Sequence, residues 1–306
     1  MAETYSHSRL SSFEDCPRKY QYRYLMKIPS ESEGVEGFVG KVVHDVLERL
    51  YKKVGEGGVP TLQRVIARYR QMFDDRYDEK RVRIVRRENP LSFYRELGDH
   101  CLANYYHDHY PFDATETLGL EEHVGFELGE PDASGPAHIQ GYVDRIARTS
   151  EGVIEIHDYK TGARVPSQAK LDKDRQLALY QIALTDRYPE RQPFRLVWHF
   201  LQRGRTLTST RNADQLLALR ERTLALVAKI RGTERFPTRP SPLCRWCEFG
   251  SRCPGNRERD PDLQTWEETW DPPEGPQADT ADAAPGSSDQ LALPLARSAK
   301  DMNAPS

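Results

Sequence analysis

The most informative segment of this sequence runs from Ile154 to Gly162 and reads IEIHDYKTG. Its spaced isoleucines followed by a threonine-glycine turn predict a β-strand that ends near Tyr159. Because residues two apart on a strand share a face, Asp158 and Lys160 are expected to point the same way where the strand ends. The segment therefore predicts a carboxylate and an amine held side by side.

A second carboxylate precedes this strand in the segment GYVDR, residues 141–145. If the two strands are hairpin neighbours, Asp144 and Asp158 converge on one site. Hard divalent cations such as Mg²⁺ take a few carboxylate oxygens as ligands, and a lysine beside them can orient or deprotonate an attacking water. A surface hairpin with ordinary charges is the alternative interpretation.

Periodicity along the rest of the chain predicts a helical first part and a mixed sheet with flanking helices. The expected helices are 8–26, 38–53, 61–81, 92–110, 174–187 and 212–231, and the expected strands are 118–128, 139–147, 153–159, 194–202 and 206–210. This order predicts an α/β or mixed α+β fold class.

Two of these helices carry polar residues that bear on the candidate site. His44 falls on the buried side of its helix with Leu47 and Tyr51, and Gln176 and Tyr180 are four residues apart and share a face. Taken singly, each would be interpreted as a core polar group with its hydrogen bonds satisfied.

In this order, His44, GYVD, DYKTG and the QxxxY pattern of residues 176–180 resemble the RecB-type branch of the PD-(D/E)XK nucleases. The likeness covers about residues 5–255. It implies a restriction-endonuclease-like core with a helical N-terminal part, and a phosphodiesterase that uses Mg²⁺ or Mn²⁺.

Carried over residue by residue, the resemblance also implies a role for each position. His44, Asp144 and Asp158 would be metal ligands, with the backbone carbonyl of Tyr159 as a further ligand. Lys160 would position or activate the attacking water. The remaining pair, Gln176 and Tyr180, would steady the substrate phosphate or the lysine.

Four of the five cysteines form a second pattern, Cys244-x2-Cys247-x5-Cys253 with Cys16 far upstream. A tetrahedral zinc site and a four-iron cluster both need four such ligands, so spacing alone leaves the two open. The fifth, Cys101, is expected to be a buried apolar residue.

RecB-type nucleases of the AddB and CRISPR-associated kinds carry one cysteine before the nuclease core and three after it. The segments SRLSSFEDCPRKYQYRY and CRWCEFGSRCPG resemble these two half-sites. The resemblance therefore implies a structural 4Fe-4S cluster that joins Cys16 to residues 244–253. The cluster is expected to hold together two chain segments that no local contact would hold.

The charge of the chain is unevenly distributed. The whole sequence of 306 residues has a net charge of −3, but residues 256–306 contain eleven acids, four bases and seven prolines. They are expected to form a disordered acidic tail. The nuclease-like part, residues 1–255, keeps a net charge of +4, which permits an anionic partner.

The tail contains one apolar island, QLALPL at 290–295, which resembles the peptide that bacterial repair proteins insert into the sliding clamp. The resemblance assigns clamp binding to Gln290, Leu291, Leu293 and Leu295, although an incidental leucine cluster is the alternative. Residues 34–42 lack the spacing of a phosphate-binding loop, so a helicase would be a separate chain.

Targeting signals are also absent from the sequence. No run of about 18 apolar residues exists, so no membrane span is expected. The N-terminal residues MAETYSHSRL lack the pattern of a signal peptide, which favours a cytoplasmic protein.

The resemblance implies a metal-dependent DNA nuclease, with single-strand exonuclease action in repair or recombination as the leading expectation. The alternatives are a CRISPR-associated nuclease, a non-catalytic DNA-binding or scaffold module, and a zinc-stapled protein with an ordinary surface hairpin. The aromatic and basic residues of 18–24 would stack bases and contact phosphates, or would simply pack a helix with a solvated basic face.

Overall fold

A short strand opens the computed structural model, which describes residues 3–30, 32–129, 135–188 and 193–257. This strand, β1 (Glu3–Ser6), leads directly into helix α1 (His7–Asp15), whose first turn is capped by the Ser6 hydroxyl. Helix α2 (Pro17–Tyr20) begins with proline at its first position, and a π-helical turn (Gln21–Leu25) follows it.

The rest of the first half is mainly helical. In chain order it contains β2 (Glu33–Gly34), α3 (Val35–Gly55), α4 (Leu62–Arg76), β3 (Val82–Arg83) and α5 (Leu91–His109). The two-residue strands β2 and β3 pair in parallel and form a small separate sheet.

The second half supplies the main sheet and its covering helices. Its elements are β4 (Thr115–Leu128), β5 (Ala137–Thr149), β6 (Ile154–Lys160), α6 (Gln168–Leu171), α7 (Gln176–Thr185), β7 (Phe194–Phe200), β8 (Arg205–Ser209), α8 (Ala213–Arg231) and α9 (Pro254–Arg257). Short 3₁₀ turns cover Leu201–Arg203, Pro242–Trp246 and Gly250–Arg252.

The main sheet has six strands in the order β1-β5-β6-β7-β8, with β4 on the other side of β5. Strands β4, β5 and β6 pair antiparallel, β6 and β7 pair in parallel, and β8 returns antiparallel beside β7. The predicted hairpin of Asp144 and Asp158 is confirmed, because Arg145 lies opposite His157. The predicted mixed α/β class is confirmed as well.

Strand β5 changes partners along one of its edges. Its first residues, 137–140, pair with β1, and its last residues, 145–148, pair with β6. Residues 141–144, called here the exchange segment, pair with neither of these two strands. Since β1 runs parallel to β5 and β6 runs antiparallel to it, the carboxyl ends of β1 and β6 approach the exchange segment from opposite directions.

Two hydrophobic cores lie on the two faces of this sheet. One packs α1, α7 and α8 against β5, β6 and β7, and the other packs α3, α4 and α5 around Tyr159 and Leu201. Cys101 is fully buried in the second core, as the sequence predicts. None of the helices within the described ranges is long and apolar enough to cross a membrane.

Sequence patterns predicted the long elements but not the short ones. Strands β1, β2 and β3 were not predicted, because two to four residues are too few to show an alternating pattern. The predicted clamp-binding residues Gln290, Leu291, Leu293 and Leu295 lie outside the described residues.

Candidate active site

The exchange segment brings helix α3 and the end of β6 together around Asp144. His44 of α3 lies with Nε2 2.8 Å from the carbonyl oxygen of Tyr159 and Nδ1 3.4 Å from Asp144 Oδ1. The other oxygen of Asp144 accepts a hydrogen bond of 2.7 Å from the backbone amide of Tyr159. Three of the predicted ligand groups therefore meet at one point.

A further carboxylate, Glu121, joins this group from strand β4. The flanking pairs Leu120 with Arg145 and Glu122 with Val143 place Glu121 opposite Asp144. Its backbone has a φ of 45°, in the left-handed region that non-glycine residues rarely adopt. Within the described ranges, His44, Glu121 and Asp144 are the group of three whose ligand atoms lie within 4.8 Å of one another.

Asp158 and Lys160 lie side by side at the end of β6, as the strand pattern predicts. Lys160 Nζ donates to Asp158 Oδ1 at 2.9 Å and to Gln176 Oε1 at 3.1 Å. The amide nitrogen of Gln176 donates in turn to Asp158 Oδ1 at 3.0 Å. The first residue of α7 thus ties the lysine to the carboxylate and sets the position of both.

Tyr180 lies one helical turn further along α7 and is 8 % exposed. Its ring packs over the exchange segment where Gly141 has no side chain; a Cβ on Gly141 would come 2.3 Å from the ring. The Tyr180 hydroxyl also interacts with Gln176. Tyr180 therefore contacts both the exchange segment and Gln176, and so helps to hold Gln176 in position.

The electrostatics of the cluster show a shortage of positive charge. Burial raises the pKa of Asp158 to about 6, against the opposing effect of Lys160, and burial with the neighbouring Asp144 raises the pKa of Glu121 to about 8. Burial also opposes charge on Asp144 and His44, but their mutual attraction lowers the pKa of Asp144 and raises that of His44 to about 9. These are the shifts expected of carboxylates crowded together without a cation to balance their charge.

Two buried atoms of this cluster have no hydrogen-bond partner among the described residues, Asp158 Oδ2 and His44 Nδ1. The first is 2.8 Å from Lys160 Nζ, but the angle is not that of a hydrogen bond. Carboxylate oxygens, a backbone carbonyl and one imidazole form a donor set that suits Mg²⁺ or Mn²⁺. The residues present fit a divalent cation.

Sequence reasoning did not identify Glu121. The segment LEEHV contains two adjacent glutamates without a motif, and only the β4–β5 register distinguishes them. An alternation argument could have found Glu121 once that register was known, because opposed residues of antiparallel strands share a face.

The four cysteines predicted to bind a cluster lie near one another. Burial is the main cause that raises the pKa of Cys253, and Cys16 and Cys244 add to it as electrostatic neighbours. Cys247 is half-buried; burial raises its pKa to about 11, and Cys253 is one of its electrostatic neighbours. Two segments more than 200 residues apart in sequence therefore meet at these thiols.

The expectation that no local contact joins these two segments is wrong. Tyr22 and Ile28 pack against Phe249 in a small apolar cluster, because the π-helical turn points its tyrosine at the C-terminal segment. Lys19 forms an ion pair with Glu248 at 3.0 Å. The protein itself contributes to holding the segments together.

The packing interpretation of residues 18–24 is confirmed for Tyr20 and Tyr22, whose buried rings cannot stack on bases. The basic residues differ from the expected solvated face, because two of them form ion pairs. Tyr20 is 0 % and Tyr22 is 4 % exposed. Lys19 and Arg23 both pair with Glu248. The aromatic rings serve the core because the helix turns them away from solvent.

The sequence of the chain matches the family model of the PD-(D/E)XK nuclease superfamily over residues 4–254. The protein belongs to this superfamily, and its mixed sheet with flanking helices is the restriction-endonuclease-like fold. It is a nuclease, a hydrolase of phosphodiester bonds in DNA that uses divalent metal ions.

Two solved structures are similar to the chain at low identity. The protein SSO0001 is 13 % identical, with 84 % of this chain and 88 % of that chain covered and a TM-score of 0.39. A protein of Eubacterium rectale, to which exonuclease activity has been attributed, is 14 % identical, with coverages of 87 % and 93 % and a TM-score of 0.47. No curated protein matches the sequence.

Proposed function

We propose that this nuclease is a Mg²⁺- or Mn²⁺-dependent single-strand exonuclease of the cytoplasm that processes DNA ends in repair or recombination. The observation that supports the catalytic part is the group of His44, Glu121 and Asp144 beside the Asp158–Lys160–Gln176 hydrogen bonds. The preference for a free single-stranded end rests on the resemblance to the RecB-type branch.

The residues that would hold the cation are His44, Glu121, Asp144, Asp158 and the carbonyl of Tyr159. When bound there, a divalent cation supplies the charge that stabilises the negative charge developing on the scissile phosphate. Asp158 Oδ2 and His44 Nδ1 support this assignment, because each makes an ion-pair contact, to Lys160 and to Asp144, but no hydrogen bond of good geometry, so each retains a lone pair or proton position for a ligand.

Lys160 would act as a donor. Burial opposes its charge, but Asp158 and Asp144 outweigh burial and raise its pKa above the ordinary value. Lys160 Nζ donates to Asp158 Oδ1 and to Gln176 Oε1, and from this position it can donate a hydrogen bond to the attacking water or to a phosphate oxygen. Of the two roles that the resemblance allows, we favour positioning, because both contacts hold the amine as a donor.

Gln176 and Tyr180 would act through Lys160. Gln176 accepts from the lysine and donates to Asp158, so it holds the two reactive groups in one geometry. Tyr180 fills the space above Gly141 and supports Gln176. We class both as positioning residues.

The deciding experiment is digestion of end-labelled single- and double-stranded DNA with Mg²⁺ or Mn²⁺. Asp158→Ala and Lys160→Ala are expected to lose cleavage by at least about 10²–10⁴-fold. Lys170→Ala, which removes an exposed lysine of α6, is the matched control and should cut like the wild type. Full activity in both site variants would refute the assigned site, and DNA binding without cutting by the wild type would indicate a non-catalytic module.

The role of Glu121 has a separate test. Bound Mn²⁺ should raise the melting temperature of the wild type, because a ligand that binds only the native state stabilises it. Glu121→Gln should weaken this Mn²⁺-dependent shift, whereas Glu122→Gln on the neighbouring position should not. Equal shifts in the two variants would remove Glu121 from the ligand set.

We further propose that Cys16, Cys244, Cys247 and Cys253 bind a structural 4Fe-4S cluster. Cys16 and Cys244 are electrostatic neighbours of Cys253, and Cys253 is a neighbour of Cys247, so the four thiols lie close enough to serve one metal centre. Four such thiols could bind either zinc or a four-iron cluster. The choice of the four-iron cluster rests on the resemblance to the four-cysteine nucleases.

Metal analysis of protein purified without oxygen tests the cluster. About four iron atoms per chain and a brown colour are expected, with loss of iron in Cys253→Ser and not in Cys101→Ser. Colourless protein that contains one zinc per chain would contradict the proposal.

The clamp peptide remains a proposal on the sequence alone. We expect Gln290, Leu291, Leu293 and Leu295 to bind the sliding clamp, with any helicase supplied by a separate chain. A pull-down with purified clamp should retain the wild type and lose Leu293→Ala and Leu295→Ala. Equal retention of all three proteins would contradict it.

A further inference from the structure

His7 and Arg175 lie near each other from two different elements, and His7 is also an electrostatic neighbour of the reactive lysine Lys160. His7 is the first residue after β1 and Lys160 is the last residue of β6, and both strand ends approach the exchange segment. Arg175 comes directly before Gln176 in the chain. Burial and the positive charges of Arg175 and Lys160 lower the pKa of His7 to about 3, so its imidazole is neutral and lies near two cations.

Each of these two residues has a buried nitrogen without a partner. His7 Nδ1 and Arg175 Nε make no hydrogen bond to any of the described residues. Their other nitrogens meet at helix α1: His7 Nε2 lies 3.4 Å from Ser11 Oγ, and Arg175 Nη2 donates to the same oxygen at 2.9 Å. The shared contact at Ser11 holds the two side chains together, and each keeps one nitrogen without a hydrogen bond.

We propose that His7 and Arg175 bind a phosphate group of the nucleic-acid strand, adjacent to the phosphate that is cleaved at Lys160. A phosphate offers several acceptor oxygens, which matches a guanidinium and a neutral imidazole that can present its N–H. The assignment rests on the proposed function, because Lys160 and its carboxylates define which phosphate is cleaved. Bound there, the strand would be fixed in position relative to the reactive groups.

Glu14 provides the alternative explanation for Arg175. Its carboxylate lies 2.5 Å from Arg175 Nη2, so the arginine also ties α1 to the start of α7. If this tie is the whole role of Arg175, loss of Glu14 should harm the protein as much as loss of Arg175. If Arg175 binds phosphate, loss of the competing carboxylate should leave binding intact or strengthen it. The two explanations thus predict opposite results for Glu14→Gln.

The experiment measures the affinity of a fluorescently labelled oligothymidine by anisotropy in EDTA, where no cleavage occurs. Arg175→Ala should weaken binding about tenfold and His7→Ala by a smaller factor, since hydrogen bonds to charged groups are worth more than neutral ones. Glu14→Gln should bind as tightly as the wild type or more tightly. Arg68→Ala, which removes an exposed arginine of α4, is the matched control and should have no effect.

The outcomes separate this proposal from the proposed catalytic site. Wild-type affinity in Arg175→Ala and His7→Ala would overturn the phosphate subsite, even if the wild type cleaves DNA. Loss of affinity in Glu14→Gln equal to that in Arg175→Ala would also overturn it, in favour of the structural tie. Weakened binding in the two variants, together with a wild type that cuts no DNA, would keep the subsite and reject the catalytic proposal.

A second comparison identifies the source of the phosphate. Oligothymidines with a 5′-hydroxyl, a 5′-phosphate or a 3′-phosphate are bound in turn. A defect of Arg175→Ala that is the same for all three would assign the subsite to an internal phosphodiester. A defect confined to one phosphorylated end would assign it to that terminal phosphate. If Arg175→Ala does not fold, as judged by circular dichroism, the other two variants still decide the question. Weaker DNA binding by His7→Ala with unchanged or tighter binding by Glu14→Gln supports the phosphate subsite, and the reverse pattern overturns it.

Discussion

The two faces of β5 and β6 carry the same kinds of residue but differ in how far their polar groups are satisfied. Asp144, Asp158 and Lys160 lie at the candidate active site, and the adjacent residues Arg145 and His157 belong to a buried network under α3 and α5. Arg145 is 2 % and His157 is 3 % exposed. Neighbouring positions on one strand therefore contribute to two different sites.

In the buried network the hydrogen bonds run in one direction. Arg145 donates at 3.0 Å to His157 Nε2, because arginine can only donate. His157 Nδ1 must then donate to His199 Nε2 at 2.9 Å, and His199 Nδ1 to the hydroxyl of Thr206 at 3.1 Å. Burial accordingly lowers the pKa of both histidines well below the usual range.

The difference teaches which polar clusters indicate function. Among the described residues, the network has a single nitrogen without a hydrogen bond, Arg145 Nε. Around the candidate site, four atoms in the described part of the chain lack a hydrogen bond, which are Asp158 Oδ2, His44 Nδ1, His7 Nδ1 and Arg175 Nε. A buried cluster that completes its own hydrogen bonds stabilises the fold, whereas one that leaves donors and acceptors unpaired is suited to a ligand.

Substitution of Asp144 should give the largest effect. Asp144→Asn keeps the shape of the side chain but removes one ligand charge, so cleavage of single-stranded DNA should fall by about 10³-fold or more. Stability without metal should change little, because a carboxylate is removed from a crowded group. Asp186→Asn, on the exposed end of α7, should cleave normally. A comparable loss of cleavage in Asp186→Asn would show that the effect is not specific to the candidate active site.

Arg145 should show the opposite pattern, a loss of stability. Arg145→Met leaves His157 and two threonine hydroxyls without their donor and should lower the free energy of unfolding by about 2–4 kcal/mol. Urea denaturation measures this loss. Arg148→Met, on the same strand with a surface pair to Glu116, should cost no more than about 1 kcal/mol. Equal costs would contradict the assignment of Arg145 to a buried network.

Gly141 tests the close approach of Tyr180 to the exchange segment. Gly141→Ala places a methyl group against the Tyr180 ring and should destabilise the protein by about 1–3 kcal/mol. It should also lower kcat more than it raises KM, because Tyr180 supports Gln176. Gly37→Ala in α3, where a Cβ would meet no atom within 4 Å, should be neutral or stabilising. A normal kcat in Gly141→Ala would show that Tyr180 has no positioning role at the candidate active site.

The smallest effect concerns pH. Burial and the charge of Arg145 lower the pKa of His109 to about 4, so the unfolded chain binds a proton more readily than the native one. The contribution of His109 to stability is complete above pH 6.5 and is lost as the pH falls from there toward 4, by about 1–2 kcal/mol at pH 5.

Urea denaturation at pH 7.5 and pH 5 measures this loss. His109→Gln should reduce the difference between the two pH values, whereas His107→Gln, an exposed neighbour on α5, should not. An unchanged pH difference in His109→Gln would show that other groups carry it.

The long elements and the motif residues could be predicted because their signals are local. The apolar stripe of α3, the DYKTG turn and the four-residue spacing of Gln176 and Tyr180 depend on residues within one or two turns of each other. For the same reason the hairpin of Asp144 and Asp158 could be inferred from a short connection. The roles of these residues remain proposals.

Glu121, His7 and Arg175 could not be predicted, because their positions depend on distant pairing. Glu121 reaches Asp144 only through the β4–β5 register and a left-handed backbone that nothing in its sequence requires. His7 reaches Lys160 only because β1 pairs with a strand more than 130 residues later.

The sequence by itself thus determined the superfamily, the fold class and an ordered set of reactive residues, since each rests on residue identity and short-range spacing. Only the tertiary structure decided which buried polar groups have hydrogen-bond partners and which have none. The physical reason is that a hydrogen bond needs both partners within about 3 Å, and distant chain segments meet only when the sheet is assembled.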